Sequence, residues 1–116
     1  MNIYDTNRAD KNSDRLYRVV DYRDSSPSGV NVMCISYPIV RYTPCGAWIQ
    51  CNDVNSGKKF VKLEAHKKYA HASVAEAIES FIRRKKRQQD ILRNQLKRAS
   101  AAECIARAEI DNLDAA

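Results

Sequence analysis

Five consecutive basic residues, Arg83 to Arg87, are the side chains of this sequence best suited to bind a charged ligand. They lie in the stretch SFIRRKKRQQDIL, whose surroundings predict a helix. At about 100° per residue, five consecutive helical positions pass more than once around the axis, so these charges form a basic collar and not one polar face. Guanidinium groups favour bidentate contacts with phosphate oxygens, and Arg84, Arg87 and Gln88 have the three- or four-residue spacing of neighbours on a helix. The basic collar therefore indicates a site for an anionic ligand.

An ordinary solvated helix face is the alternative interpretation of the basic collar. Pairs four residues apart, Glu79 with Arg83 and Lys86 with Asp90, could support such a face. However, residues 74 to 102 contain eight basic residues and only three acidic ones. That excess makes the helix self-repelling unless an anion lies near it.

An aromatic residue precedes the predicted helix. Tyr69 comes shortly before Ser73-Val74-Ala75-Glu76, a capping box that predicts a helix start. Exposed N–H groups at a helix N-terminus favour anions, and an aromatic ring beside them can stack on a nucleobase. The alternative is a hydrophobic staple in which Tyr69 packs on Ala77 or Ile78. Both interpretations remain open at this point.

Residue types that commonly perform catalysis occur here without the spacing that catalysis requires. No nucleophile, zinc-protease, phosphate-loop or paired-carboxylate motif is present, and three glycines leave no loop to cradle a phosphate. The four cysteines are six or more residues apart, and no histidine pair completes a zinc ligand set. The sequence therefore predicts free thiols, with Cys34 and Cys104 packed like small apolar residues. It also predicts no metal, no cofactor and no enzymatic activity.

The elements that must position these residues are a sheet and then helices. Residues 1–15 are polar and predict a flexible arm. Short apolar segments separated by turn residues then predict an antiparallel sheet over residues 16–63, and VNVMCISY is apolar on both faces, as in a central strand. The predicted strands are residues 16–22, 30–37, 38–43, 47–51 and 59–63.

Helical periodicity replaces strand periodicity after Ser73. No glycine or proline follows, but Ser100-Ala101-Ala102-Glu103 is a second capping box. We therefore expect one long and one shorter helix over residues 74–114, with a break near Ser100. The predicted class is α+β, with one domain over residues 16–116.

The longer predicted helix needs a partner that the sheet alone does not supply. A helix of about 26 residues is roughly 39 Å long, more than a small sheet covers. Its far end carries Ile91, Leu92, Leu96 and Ala99. A second copy of the chain would cover them, so we expect a homo-oligomer joined through the long helices.

The net charge of +6 allows acidic partners. No run of about 18 apolar residues occurs, so the sequence predicts no membrane span, and the polar N-terminus lacks the apolar core of a signal peptide. A cytosolic location is therefore expected.

Three segments together resemble a known family. PIVRYTPCGAWIQ, KKFVKL and KKYAHASVAEAIESFIRRKKRQQDILRNQL, about residues 38 to 100, are similar to the phage anti-Thoeris sponge family. That family sequesters cyclic ADP-ribose-type signals and, in some members, cyclic oligonucleotides of the CBASS pathway. The resemblance implies a non-catalytic phage protein in the host cytoplasm that binds a small nucleotide signal in pockets at the subunit interfaces of an oligomer.

The resemblance also implies roles for individual residues. Tyr69 would stack on the adenine, Glu79 would form a polar wall, and Arg84 and Arg87 would contact phosphates. The pattern departs from the family where Ala72-Ser73 replaces an expected Pro-Thr, and Glu79 suits a pyrophosphate site only if it faces ribose hydroxyls. The full set of candidate ligand-binding residues is Tyr69, Glu79, Arg83, Arg84, Arg87 and Gln88.

Two other functions are compatible with the same residues. The basic collar could follow the phosphate backbone of a nucleic acid, as in a phage regulator or an inhibitor of a nucleic-acid-guided defence complex. The acidic residues after position 102 disfavour a long nucleic-acid track. Alternatively, the protein is a structural oligomer whose basic residues pair with the carboxylates of a neighbouring copy.

Overall fold

The computed structural model describes residues 1–5, 14–52 and 54–115, and in this part of the chain five strands precede one helix. The predicted α+β class is therefore confirmed. The elements are β1 (Asn2–Asp5), β2 (Arg15–Arg23), β3 (Val30–Thr43), β4 (Gly46–Gln50), β5 (Lys58–Val61) and α1 (Val74–Ala115).

The sheet is mixed because β1 runs parallel to β3, with Ile3 opposite Cys34. The predicted antiparallel pairing holds for β2 with β3, β3 with β4 and β4 with β5, and must be corrected for β1. A four-residue strand has too little periodicity to stand out from polar neighbours. Thus Asn2–Asp5 forms a strand where the sequence predicted an arm, and residues 6–13 of that arm lie outside the described residues.

Strand β3 is a single 14-residue element that passes through Pro38, where the sequence predicted two strands. Its first half pairs with β1 and β2, and its second half pairs with β4. The register shifts between Ile39 and Arg41, so the predicted boundary falls close to the point where β3 changes partners. Proline is tolerated in a strand at such an irregularity because it offers no N–H to a ladder.

Both faces of β3 are covered, as its apolar alternation predicts. On one face Cys34 packs with Val19 and Ala77. On the other face Tyr37 belongs to a larger cluster, since neighbouring side chains of a strand point in opposite directions. The buried members of that larger cluster are Leu16, Tyr37, Ile49, Cys51, Val61 and Ala70.

The segment before α1 is tied to β2 by two backbone hydrogen bonds. The N–H of Tyr17 donates to the carbonyl of His71 at 2.7 Å, and the N–H of His71 donates to the carbonyl of Tyr17 at 2.8 Å. The helix then begins as the capping motif predicts, because the N–H of Glu76 donates to Oγ of Ser73 at 3.2 Å. Ala77 is 1% exposed, which places the first turns of α1 on the sheet.

Helix α1 continues without interruption from Val74 to Ala115, so the predicted break near Ser100 is wrong and no second, shorter helix is seen among the described residues. Its 42 residues correspond to about 63 Å. Alanine-rich sequence surrounds Ser100, and alanine has the highest helix propensity. A capping box therefore does not end a helix when every flanking residue can continue it.

The chain divides into two compact units. Residues Met1–Phe81 form the first, called the sheet unit, and α1 from Ile82 onward forms the second, called the helical unit. Within the described residues, α1 contains no stretch that is both long enough and apolar enough to cross a membrane.

We expect Gly46→Ala to lower the free energy of unfolding by about 2–3 kcal/mol, because the added methyl group overpacks the contact between β4 and β5. A Cβ at Gly46 would clash with the carbonyl oxygen of Val61 and would lie 2.9 Å from Cζ of Phe60. Urea denaturation measures the loss.

Gly29→Ala is the matched control for this substitution. Gly29 has a φ of 75° and open space around its Cβ position, so an alanine there costs only about 1 kcal/mol of backbone strain. An equal loss in both variants would contradict the steric explanation.

We expect Ser100→Ala and Ser73→Ala to change stability in opposite directions. Ser73→Ala removes the acceptor of the Glu76 N–H and should cost about 1 kcal/mol. Ser100→Ala replaces a mid-helix serine with a better helix former and should gain roughly 0.5 kcal/mol. Circular dichroism at 222 nm during thermal unfolding measures both. If Ser100 capped a separate helix, its substitution would lower helicity.

Candidate functional site

The basic collar lies on an uninterrupted stretch of α1 in the helical unit. Asp90 accepts a hydrogen bond from Nη1 of Arg93 at 3.0 Å, and not from Lys86 as the alternative interpretation suggested. In the part of the chain that the structure describes, no carboxylate pairs with Arg83, Lys86 or Arg87. These three side chains are exposed, so their charge is available to an external anion.

Helical spacing places residues of the basic collar and the following Gln88 in two neighbouring pairs. Arg83 and Arg87 are four residues apart and lie on one side of the helix. Arg84 and Gln88 are also four apart and lie next to that pair, and Nζ of Lys85 donates to Oε1 of Gln88 at 3.1 Å. Side chains at this spacing have Cβ atoms about 6 Å apart, which lets two guanidinium groups converge on one phosphate. Arg83, Arg84, Arg87 and Gln88 are therefore brought together along one stretch of helix.

Tyr69 lies in the sheet unit and is half-buried in a polar and aromatic cluster. The guanidinium of Arg18 lies over its ring, 4.2 Å from the centroid, and Nζ of Lys59 lies 4.3 Å from the same centroid. The Tyr37 ring is tilted against it with centroids 5.9 Å apart. The Tyr69 hydroxyl is 3.4 Å from the Tyr37 hydroxyl and 3.8 Å from Sγ of Cys51.

These contacts restrict what Tyr69 can do. Each cation–π contact stabilises the ring in place, and Nη1 of Arg18 also donates to the Tyr69 carbonyl at 2.8 Å. A nucleobase stacking on the same side as one of these cations would have to displace it. Tyr69 packs with the cluster that contains Tyr37, whereas Ala77 and Ile78, the predicted staple partners, belong to the other cluster.

Glu79 is exposed on the part of α1 that belongs to the sheet unit. Thus Tyr69 and Glu79 are in one unit, and Arg83, Arg84, Arg87 and Gln88 are in the other. Within the helical unit, the structure therefore brings Arg83, Arg84, Arg87 and Gln88 together on successive turns of α1.

The sheet unit also contains a cleft of about 500 Å³ that sequence reasoning missed. Its cation is Arg15, which donates to Oγ of Ser36, donates from Nη2 to the Ser36 carbonyl at 3.3 Å and lies 3.6 Å from an Asp5 oxygen. At the same cleft the Tyr42 hydroxyl donates to Oδ2 of Asp14 at 2.9 Å. Because carboxylates already offset the cation, this cleft suits a neutral or cationic group better than a phosphate. Its lining residues come from β2, from β3 and from segments outside the strands, so no single spacing in the sequence relates them.

No cluster of three or more potential metal ligands occurs among residues 1–5, 14–52 and 54–115. Cys34 and Cys51 are buried, while Cys45 and Cys104 are exposed, and none of the four forms a disulfide. The predicted packing of Cys104 within this chain is therefore wrong.

The environment of Tyr69 predicts a loss of stability at alkaline pH. Burial raises the pKa of the Tyr69 hydroxyl above its ordinary value near 10, with the neighbouring Cys51 adding to the shift and Arg18 opposing it. Because the folded protein holds this proton more tightly, the stabilisation is present below about pH 10 and is lost as the pH rises through the folded-state pKa. Burial also raises the pKa of the Cys34 thiol, which contributes in the same direction.

As the pH rises from about 9 to about 11, we therefore expect the free energy of unfolding to fall less in the Tyr69→Phe variant than in the unmodified protein. Urea denaturation at several pH values in this range measures the difference, and the Cys34 contribution remains in both proteins. Identical slopes of unfolding free energy against pH would show that the raised Tyr69 pKa is not linked to folding.

No protein-family model, curated protein or solved structure matches this chain. These comparisons supply no relative whose binding residues could be transferred to it. The functional assignment therefore depends on the charges and contacts described above.

Proposed function

We propose that this protein binds a cyclic nucleotide immune signal and sequesters it intact, as a phage counter-defence protein acting in the host cytoplasm. The signal would be a cyclic ADP-ribose isomer or a cyclic oligonucleotide. The observation that carries this proposal is the basic collar, in which Arg83, Lys86 and Arg87 have no carboxylate partner among the described residues.

The charge of the helix favours a multiply charged guest. Residues 82–98 contain eight basic residues and one acidic residue, a net charge of +7. Like charges three or four residues apart on a helix repel each other, and a bound anion converts that repulsion into attraction. Because the helical backbone is already ordered, the ligand does not have to order it on binding, which improves affinity.

The mechanism requires no reaction. A sequestering protein works by mass action if it exceeds its ligand in concentration and binds it more tightly than the receptor does. Guanidinium groups would hold the phosphates, and Gln88 would accept or donate hydrogen bonds at a ribose or base. The resemblance gives Tyr69 a separate role, stacking on an adenine, and within the sheet unit that role would require Arg18 or Lys59 to move from the side on which the base stacks.

Equilibrium dialysis against cyclic ADP-ribose isomers and cyclic di- and trinucleotides tests this proposal. We expect the unmodified protein to retain at least one of these compounds and to release it chemically unchanged after denaturation. If it retains none of them, the proposal is wrong. If it releases a hydrolysed product, the protein is an enzyme.

A double variant, Lys86→Gln with Arg87→Gln, tests the basic collar. Arg87 is a candidate phosphate contact and Lys86 is a neighbouring positive charge. Their removal should weaken binding roughly tenfold or more, since one charge-assisted hydrogen bond contributes about 1.5–3 kcal/mol. Lys97→Gln with Arg98→Gln is the matched control because it removes the same charge one helical repeat of eleven residues later, at nearly the same angles. Equal weakening by both variants would show that net charge, and not the collar, determines affinity.

Nucleic-acid binding is a second candidate, favoured by the distribution of the collar around the whole helix axis. A single small ligand contacts only one side of a helix, whereas a folded or wrapped polyanion can contact several. Binding to random DNA or RNA whose affinity falls steeply with salt, without retention of cyclic nucleotides, would favour this candidate.

A further inference from the structure

The helical unit exposes a regular apolar seam. Every residue from 86 to 115 that the structure describes is exposed. Within this stretch, apolar side chains recur at alternating steps of four and three residues, with Glu103 as the polar member of the series. This spacing is the heptad pattern by which one helix packs against another. The apolar members are Leu92, Leu96, Ala99, Ala106, Ile110 and Leu113.

The large apolar side chains of the seam are more exposed than is usual in a protein without a partner. Leu96 is 69% exposed, Ile110 is 59% exposed and Leu113 is 75% exposed. Contiguous apolar surface of this kind is characteristic of an interaction site. Ile91 and Ile105 lie away from the seam and stay exposed in a two-stranded arrangement.

The charges along the helical unit are separated into two blocks of opposite sign. Residues 82–98 have a net charge of +7, whereas residues 99–115 contain four acidic residues and one basic residue, a net charge of −3. The last turn of α1 contains no basic residue, although the helix dipole favours cations there. Positive charge from another part of the structure or from a partner would therefore stabilise the acidic block.

We infer that a second copy of this chain covers the seam in an antiparallel orientation. That orientation places the basic block of each copy beside the acidic block of the other, whereas a parallel orientation places +7 beside +7. One sequence supplies both complementary blocks, which favours a second copy over an unrelated protein. The contact centres near residue 100, where Ala99 and Ala106 let two helices approach closely.

This inference does not depend on the proposed ligand. Pairing of the two blocks leaves an excess of about four positive charges at each end of the paired helices, so it remains compatible with binding of an anion. It predicts that the basic collar of one copy lies beside the acidic helix end of its partner.

Spin-label distances determine the orientation directly. In a background in which the exposed Cys45 and Cys104 are replaced by serine, a label is attached at Gln89→Cys in one sample and at Ala101→Cys in another. In an antiparallel pair the two labels at position 89 are about 25–36 Å apart along the axis, while those at position 101 are within roughly 10 Å along it. In a parallel pair both separations are short.

Light scattering or sedimentation on the unmodified full chain gives the mass. The inference is supported if the mass is that of a dimer or a multiple of dimers, and if the distance between labels is long at position 89 and short at position 101. A monomer at micromolar concentration, or short distances at both positions, overturns it.

Charge reversal separates the two orientations by the sign of its effect. Glu109→Lys with Asp111→Lys changes the net charge of the acidic block from −3 to +1. Antiparallel association should weaken about tenfold at low salt, whereas parallel association should strengthen because repulsion between acidic blocks is removed. Copies with Lys85→Glu and Lys86→Glu, whose basic block falls from +7 to +3, should restore part of the association when mixed with this variant, because their acidic block of −3 lies beside the variant's basic block of +7. Tighter association, or no rescue on mixing, overturns the inference.

Discussion

The pairing of β3 with three other strands is the constraint on which the sheet unit depends. Residues 33–36 of β3 pair with β1 on one side and with β2 on the other, and apolar side chains of β3 are buried on both faces of the sheet. Cys34 and Tyr37 contribute to separate core clusters for this reason. One of these clusters includes Ala77, so the first turns of α1 are held by the same strand that organises the sheet. The direction in which the chain enters the helix is therefore determined within the sheet unit.

The sequence was sufficient for those features that have a regular period or a local signal. The α+β class, the apolar alternation of β3 and the cap at Ser73 each depend on a few neighbouring residues, and all three are present in the structure. Strand β1 was missed because four residues carry too little periodicity. The break near Ser100 was expected from a local cap signal that the surrounding alanines override. Local signals therefore fail where an element is too short to show a period, or where neighbouring residues outweigh the signal.

The candidate site shows the same division. Arg83, Arg84, Arg87 and Gln88 could be grouped from sequence because helical spacing alone brings them together. The surroundings of Tyr69 could not be predicted, since Arg18, Tyr37 and Lys59 reach it from three different strands. The cleft around Arg15 was missed for the same reason. Long-range contacts between strands leave no spacing signal in one sequence.

The two backbone hydrogen bonds between Tyr17 and His71 also bear on aggregation. Among the described strands, β2 pairs only with β3, so its outer side would otherwise offer a continuous template to strands of other molecules. The linker before the helix occupies that side at Tyr17, near the start of β2, and Arg23 places an exposed charge at the far end of the strand. A foreign strand would have to remove the linker and bury that charge before it could add to the whole length of β2. The same peptide segment that starts the helix thus limits fibre growth from this border.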